Sequence, residues 1–399
     1  MVGTSHRNRE ATVDADATAR ALVVADVNWY TTEHLFREVR RPGVSTLLLK
    51  CSDYVNAWHR GELPWSWGAA LAERGPRLWQ RELVLPSGWM KRFPRLGMRP
   101  IRRAITGWRA QHATGGPLTL VMTYPHYLYL RDQVRPDVLV YFNIDDYTQY
   151  WPRCADRVNA LEIQAVRESD LTVCVSNRRC EALREAVPGA ADRIRHLPHG
   201  APRPALGPSA CAVPAPAPPD LAGLPRPLLG YVGTLEDRVD WALLDAVARR
   251  FANGTVVLLG RPDPDSRGAW TADRSRCLSR PNVKRLGWRP QDELGAYNRA
   301  FDVCLIPYRA DHPFNRVCCP TKIMDYMGSG RPIVSTDLPE CRLYERLFDV
   351  VGTPEAFLDR VAAIVADGSD DGRAEARFAW AREHTCERVA ERLLGWLPG

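Results

Sequence analysis

Lys322 and Asp325 stand three residues apart in Pro320-Thr-Lys-Ile-Met-Asp-Tyr-Met-Gly-Ser-Gly-Arg-Pro-Ile-Val334. On a helix that spacing puts both side chains on one face. A cation there suits a phosphate, and a carboxylate can accept from both hydroxyls of a ribose. Pro320 fits the first helical turn, which leaves the amides of Thr321 and Lys322 free to meet an anion. Ile323, Tyr326 and Met327 form the opposing, core-facing set. For the Lys–Asp pair alone, a surface ion pair on an ordinary helix is the plainer reading. A second corner is Leu228-Leu-Gly-Tyr-Val-Gly-Thr234, where Gly233 and Thr234 would let a phosphate approach the backbone and Arg238 follows within reach of an anion. Its plain reading is a tight turn. The corner is not G-x-G-x-x-G, which counts against a dinucleotide cofactor.

In the first half, the strand-like run Asp137–Phe142 ends in Asn143-Ile-Asp-Asp-Tyr147. A carboxylate at such an end can take a proton from an acceptor hydroxyl. Successive residues diverge, so only one of Asp145 and Asp146 should face a cleft, and Asp145 is favoured. A helix cap or turn aspartate is an equal alternative for either. His126, after Thr123-Tyr-Pro125, is a second candidate, although such a histidine is more often structural. His199 in Leu-Pro-His-Gly200 is assigned to a hinge.

Eleven cysteines are scattered, with no C-x-x-C and no zinc spacing. Cys174 and Cys304 sit in apolar runs, which suits buried free thiols in a reducing cytosol. No metal site and no cofactor are expected. The polar N-terminus lacks an apolar signal segment, and no run reaches the roughly 18–20 apolar residues of a membrane span.

These residues need elements to hold them. Short β-type runs such as Leu118–Met122 and Leu228–Val232 alternate with helix-period segments such as Ala155–Glu168, Asn177–Ala186, Arg238–Phe251 and Gln291–Ala300, which predicts an α/β fold of parallel sheets flanked by helices. Residues 1–19 read as a loose tail, 20–201 as a first Rossmann-like domain and 202–227 as a semi-rigid Pro/Ala-rich linker. Residues 228–370 read as a second Rossmann-like domain, and 371–399 as one long terminal helix. In open α/β sheets ligands bind at the carboxyl ends of strands, where the corners above lie.

Residues 58–109 are unusual. Trp58, Trp65, Trp67, Trp79, Trp89 and Trp108 are interleaved with eleven arginines and lysines, among them Arg95, Arg99, Arg102 and Arg103. The net charge of the chain is +7. Tryptophan with arginine suits an anionic lipid surface. Core tryptophans beside a solvated basic face explain it equally well. No nucleic-acid-binding motif accompanies the charge.

Pro-Thr-Lys-x-x-Asp-Tyr-Met-Gly-x-Gly-Arg-Pro-Ile-Val after Ile306-Pro-Tyr308 resembles the donor site of GT-B glycosyltransferases. The likeness is to the bacterial glycosyl transferases group 1, retaining-type and family 4-like, whose motif reads Pro-x-Lys-x-x-Glu-Tyr-x-Ala-x-Gly-x-Pro-Val-Val. Asn282-Val-x-x-x-Gly-Trp-Arg-Pro-x-x-Glu-Leu-x-x-Tyr297 is similar to the family's base-binding segment, and Arg289 lies where its backbone commonly meets the base. Leu-Pro-His-Gly200 looks like the end of its first domain. The last helix resembles the one that crosses back onto that domain, with Cys386 where the family usually has Trp. The resemblance implies two Rossmann-like domains facing a cleft and a nucleoside-diphosphate sugar as donor. It also implies an acceptor that is a glycan or is carried on a lipid, on the cytoplasmic face of the inner membrane. Donor contacts would come from Gly233, Thr234, Arg238, Arg289, Pro320, Thr321, Lys322 and Asp325, and acceptor chemistry from Asp145, Asp146 or His126. One departure stands out. The family often has a Glu eight residues before the ribose carboxylate, where this chain has Val317. A non-catalytic sugar-nucleotide scaffold and a nucleotide-sugar epimerase of the same architecture are the alternatives.

Overall fold

The computed structural model describes residues 20–59, 70–86, 88, 93–207, 217–262 and 268–397. Strands β1 (Arg20–Ala25), β2 (Val44–Asp53), β3 (Ala72–Gly75), β4 (Leu78–Leu85), β5 (Leu118–Met122), β6 (Val138–Asn143), β7 (Leu171–Cys174) and β8 (Ile194–His196) form one sheet. Its order is β3-β4-β2-β1-β5-β6-β7-β8, parallel except for the β3–β4 edge pair. The second sheet holds β9 (Leu228–Val232), β10 (Thr255–Leu259), β11 (Val283–Gly287), β12 (Val303–Ile306), β13 (Ile333–Thr336) and β14 (Asp349–Val351). Its order is β11-β10-β9-β12-β13-β14, all parallel. The strand order reverses between β9 and β12, which opens a crevice at their carboxyl ends.

The central strands are apolar on both faces because helices cover both. Along β1, Ala21, Val23 and Ala25 pack with Met98, Ile101 and Trp108 of the helix Pro94–His112. Leu22 and Val24 face the other way, toward Leu35 and Phe36 of the helix Tyr30–Arg37. That second core runs on into the other domain through Val389, Ala390 and Leu393 of the terminal segment.

The terminal segment departs from the single long helix expected. It forms two helices, Ala374–Glu383 and Cys386–Trp396, broken at His384 and Thr385. Thr385 caps the second helix by accepting from the amide of Arg388. At the break the Ala201 amide donates to the His384 carbonyl at 2.8 Å, and the Cys386 amide donates to the Ala201 carbonyl at 3.1 Å. The helix yields its own bonds there so that the chain can pair with the end of the first domain. A Cβ on Gly200 would lie 2.6 Å from the Cys386 Cα, so the crossing needs glycine. The described part of the linker is packed in places: Ala205 and Leu221 are buried, and the Gly207 amide donates to the Gly328 carbonyl.

Arg377, fully buried in the first of these helices, holds the donor-corner helix Lys322–Ser329 from its far end. Its guanidinium donates to the Gly330 carbonyl at 2.9 Å, the Leu347 carbonyl at 2.9 Å and both oxygens of Asp371 at 2.7 Å. Burial alone would raise the Asp371 carboxyl; the hydrogen bonds and charge of Arg377, with Arg373, hold it below its ordinary value. Arg377→Met removes the donor to three partners, leaving the Gly330 and Leu347 carbonyls without it and Asp371 with Arg373 as its remaining cation, and should cost about 3–5 kcal/mol in urea unfolding at pH 7. Because the folded carboxyl is depressed, this part of the stability is present above the unfolded value and is lost as pH falls through the folded one. A cost below about 1 kcal/mol would show that the arginine is not the anchor.

Candidate functional site

The donor-corner helix is buried on every side, Lys322 and Asp325 included at 5% and 9% exposure. The surface-pair reading therefore fails. Ile323, Tyr326 and Met327 are in the core as expected, and the Tyr326 hydroxyl accepts from the Val232 amide at 2.9 Å, which fixes the helix against β9. The Ile323 and Met324 amides close on the carbonyls of Pro320 and Thr321, so the amides of Thr321 and Lys322 sit at the open end of the helix.

Lys322 points to the crevice between β9 and β12. Its Nζ donates to the Tyr308 hydroxyl and lies 4.1 Å from the Tyr308 ring centroid and 5.2 Å from that of Tyr231. Two tyrosines thus cradle one ammonium, and no carboxylate among the described residues bonds it. Asp325 forms no hydrogen bond among the described residues. Burial pushes its carboxyl up to about 7, with Lys322 pulling it back down.

Gly233 ends β9 with φ +153°, and its amide donates to the Leu259 carbonyl. A Cβ there would lie 2.9 Å from the Tyr231 hydroxyl and 3.3 Å from the Lys322 Nζ. The missing side chain keeps the approach to Lys322 open. Thr234 is exposed, and its carbonyl accepts from the Tyr231 hydroxyl. Arg238 lies in the loop before the helix Trp241–Arg250, which begins three residues later than the sequence suggested. It pairs with Glu236 at 2.5 Å, and its guanidinium sits 4.5 Å over the Phe314 ring.

Arg289 turns elsewhere. Its guanidinium bonds Asp220 at 2.7 Å and the Tyr297 hydroxyl at 3.0 Å, tying the end of the linker to the second domain. Val317 is half-buried in the turn before Pro320, its amide bonded to the Phe314 carbonyl.

Across the cleft, the two aspartates separate. Asp146 caps the short helix Tyr147–Tyr150, accepting from the Thr148 amide at 3.1 Å and hydroxyl at 2.6 Å and from Gln149 at 3.0 Å. Burial would raise it, but these bonds and Arg179 hold its carboxyl below the ordinary value. As a catalytic candidate it is corrected to a helix cap. Asp145 instead accepts from the Tyr150 hydroxyl at 2.8 Å. Burial pushes it up to about 6, against the pull of that bond and of Arg238 and Arg179. Tyr150, which holds Asp145, meets Phe314 of the other domain edge-on. His126 packs edge-on to Trp151 at 5.1 Å between ring centroids. His199 is buried at the hinge, where desolvation lowers it to about 4.

Sequence reasoning missed the aromatic partners Tyr231, Tyr308, Tyr150 and Phe314. It also missed Glu340, a buried carboxylate of the second domain that accepts from the Asn177 amide at 2.9 Å and lies 3.4 Å from His196. Glu340 lies 163 residues from Asn177 and Phe314 is on an unpatterned loop, so spacing carries no trace of them, whereas Tyr308 is 14 residues from Lys322 and Tyr150 five from Asp145. Ile306-Pro-Tyr308, at the end of a buried strand, was the one available signal.

Residues 226–367 match the model of the family described as Glycosyl transferases group 1. Over 112 residues the chain is 26% identical to TuaH of Bacillus subtilis (strain 168), provisionally named a teichuronic acid biosynthesis glycosyltransferase. That match covers 28% of this chain and spans 27% of the length of that relative. Among solved structures, sucrose-phosphate synthase from Thermosynechococcus elongatus superposes with a TM-score of 0.71 at 16% identity, covering 94% of this chain and 98% of that one. Anabaena HepE in complex with UDP and glucose gives 0.65 at 14% identity, over 94% and 98%. An α,α-trehalose-phosphate synthase (UDP-forming) from Burkholderia vietnamiensis gives 0.65 at 12%, over 95% and 97%. The chain thus has the GT-B fold, and its residues 226–367 are similar to the glycosyl transferases group 1.

Proposed function

We propose that the chain is a glycosyltransferase that moves a sugar from a nucleoside-diphosphate sugar to a hydroxyl acceptor in polysaccharide or lipid-linked glycan synthesis. The observation that carries this reading is the buried Lys322 and Asp325 at a strand-order switch, without the carboxylate and donor partners that burial ordinarily demands. A diphosphate and a ribose would supply those partners.

The acceptor oxygen would attack the anomeric carbon, the bond from that carbon to the diphosphate oxygen would break, and the hydroxyl proton would pass to Asp145. Lys322, Arg238 and the amides of Thr321 and Lys322 would hold the charge of the leaving diphosphate. The reading includes no metal ion. Closure of the two domains around donor and acceptor would exclude water that would otherwise hydrolyse the donor. HepE is held in a complex with UDP-glucose and the Burkholderia enzyme is UDP-forming, so UDP-glucose is the first donor to test.

A membrane contact is supported by the helix Pro94–His112. Met98, Ile101, Ala104, Ile105 and Trp108 are buried on one side, while Arg95, Arg99, Arg102 and Arg103 are exposed on the other. Phe93 and Leu96 are exposed at its start, at 56% and 40%, and Trp58 at 60%. Trp79 and Trp108 contact each other 5.9 Å apart, Trp108 in the core, so they are not part of a lipid face. Trp65, Trp67 and Trp89 lie outside the described residues. No described helix is long and apolar enough to cross a membrane.

Three outcomes follow. By calorimetry, Lys322→Ala should weaken UDP binding by about tenfold or more, the loss of one charge-assisted bond. Asp325→Asn should weaken it too, yet raise the melting temperature of the nucleotide-free chain at pH 8. A raised carboxyl destabilises the fold above its unfolded value, and this cost is complete above about 7. Full UDP affinity in Lys322→Ala would remove the site. Second, kcat/KM should rise with pH through about 6 as Asp145 ionises, and Tyr150→Phe, which deletes a bond to the ionised form, should move that inflection upward. A flat profile with an active Asp145→Asn variant would exclude the base. Third, the chain should co-sediment with vesicles containing phosphatidylglycerol at low salt. Replacing Arg95, Arg99, Arg102 and Arg103 with Gln should abolish this, since each near-surface cation contributes about 1 kcal/mol; unchanged sedimentation would count against the surface.

A further inference from the structure

Trp29 follows β1 at the carboxyl end of the first sheet and is 37% exposed. Its indole N–H donates to the Tyr124 hydroxyl at 2.5 Å, so its polar edge is satisfied and its orientation fixed while a ring face stays accessible. The Trp29 ring lies 5.9 Å from Tyr150. Tyr150 in turn meets Phe314 of the second domain edge-on at 5.5 Å. The same Tyr150 holds Asp145 through its hydroxyl, and Arg238 covers Phe314.

We propose that Trp29, Tyr150 and Phe314 form an aromatic subsite for a pyranose ring of the acceptor, presenting a hydroxyl of that ring to Asp145. This rests on the transferase reading above and names the acceptor class that reading leaves open. A pyranose has an apolar C–H face that packs on aromatic rings and a rim of hydroxyls that pair with carboxylate and guanidinium groups. The cluster offers both kinds of surface side by side. An alkyl chain would use the rings and offer no hydroxyl to the Asp145 oxygen that Tyr150 does not bond, which a water-excluded cleft penalises. A phosphate at this position would be repelled by Asp145. Two rings come from the first domain and one from the second, so the subsite is whole only when the domains meet. Acceptor binding would then stabilise the closed arrangement in which the donor is shielded.

The test uses the full chain and saturation-transfer difference NMR. The probes are methyl pyranosides of glucose, galactose, mannose and N-acetylglucosamine, together with n-octyl β-D-glucopyranoside, each titrated with and without UDP. The expected result is saturation of pyranose C–H protons by at least one probe, strengthened by UDP. Trp29→Ala should lower that affinity by about tenfold and Trp29→Phe should restore most of it, both binding UDP as the native chain does. Saturation confined to the octyl chain would overturn the proposal in favour of an apolar lipid. So would the absence of pyranose saturation in a chain that binds UDP, or a Trp29→Ala variant with unchanged pyranoside affinity. Failure of the native chain to bind UDP, with pyranosides still saturated, would overturn the donor reading and leave the subsite standing.

Discussion

Placing an ammonium and a carboxylate on one short buried helix, neither bonded to an opposite charge, is the constraint around which the second domain is arranged. Lys322 and Asp325 are desolvated without the compensation that buried charges normally have. The rest of the helix must therefore be anchored firmly enough to hold them in place. Tyr326 ties it to β9, Arg377 holds the carbonyl just past its end, and Gly330 turns the chain in the left-handed region with φ +71°. The segment from Arg203 to Gly207 braces Gly328 from outside. Strain of this kind is characteristic of binding sites, where the missing partner arrives with the ligand.

That dependence reaches the first domain through the broken terminal helix. Arg377 lies in its first half and bonds the donor corner, while Cys386 begins its second half against Gly200. A continuous helix would satisfy its own carbonyls and could not pair with Ala201. The break therefore lets one segment hold the donor helix at one end and the hinge at the other.

The strands and helices with strong periodicity were legible: Leu118–Met122, Leu228–Val232, Ala155–Glu168, Asn177–Ala186 and Gln291–Ala300 have the bounds that pattern alone suggests. The edge strand Ala72–Gly75 was not, because Ala-Glu-Arg-Gly has no apolar alternation and is set by pairing with β4. The terminal helix was drawn as one because its apolar spacing continues through His384 and only a tertiary pairing breaks it. At the site, three-residue spacing exposed Lys322 and Asp325 directly. Asp145 could be ranked above Asp146 from alternation, but only the cap bonds to Thr148 and Gln149 decide it. The guanidinium of Arg289 was out of reach, since its partner Asp220 lies in a segment with no pattern at all.

Glu340 shows why the cleft has two kinds of contact between domains. It is almost fully buried and lends a carboxylate to the start of the helix Asn177–Ala186, where unpaired amides and the helix dipole favour negative charge. Burial would lower His196, but the nearby Glu340 holds it above its ordinary value. The Glu340 Oε2 accepts from the Asn177 amide, while its Oε1, 3.4 Å from His196, has no hydrogen-bond partner among the described residues. Asp145 is held by Tyr150, Arg238 pairs with Glu236 and lies over Phe314, and Phe314 meets Tyr150 by an edge. The structure therefore divides the work: Glu340 links the two domains through Asn177 and His196, and the proposed donor corner at Lys322 and Asp325 lies apart from that link.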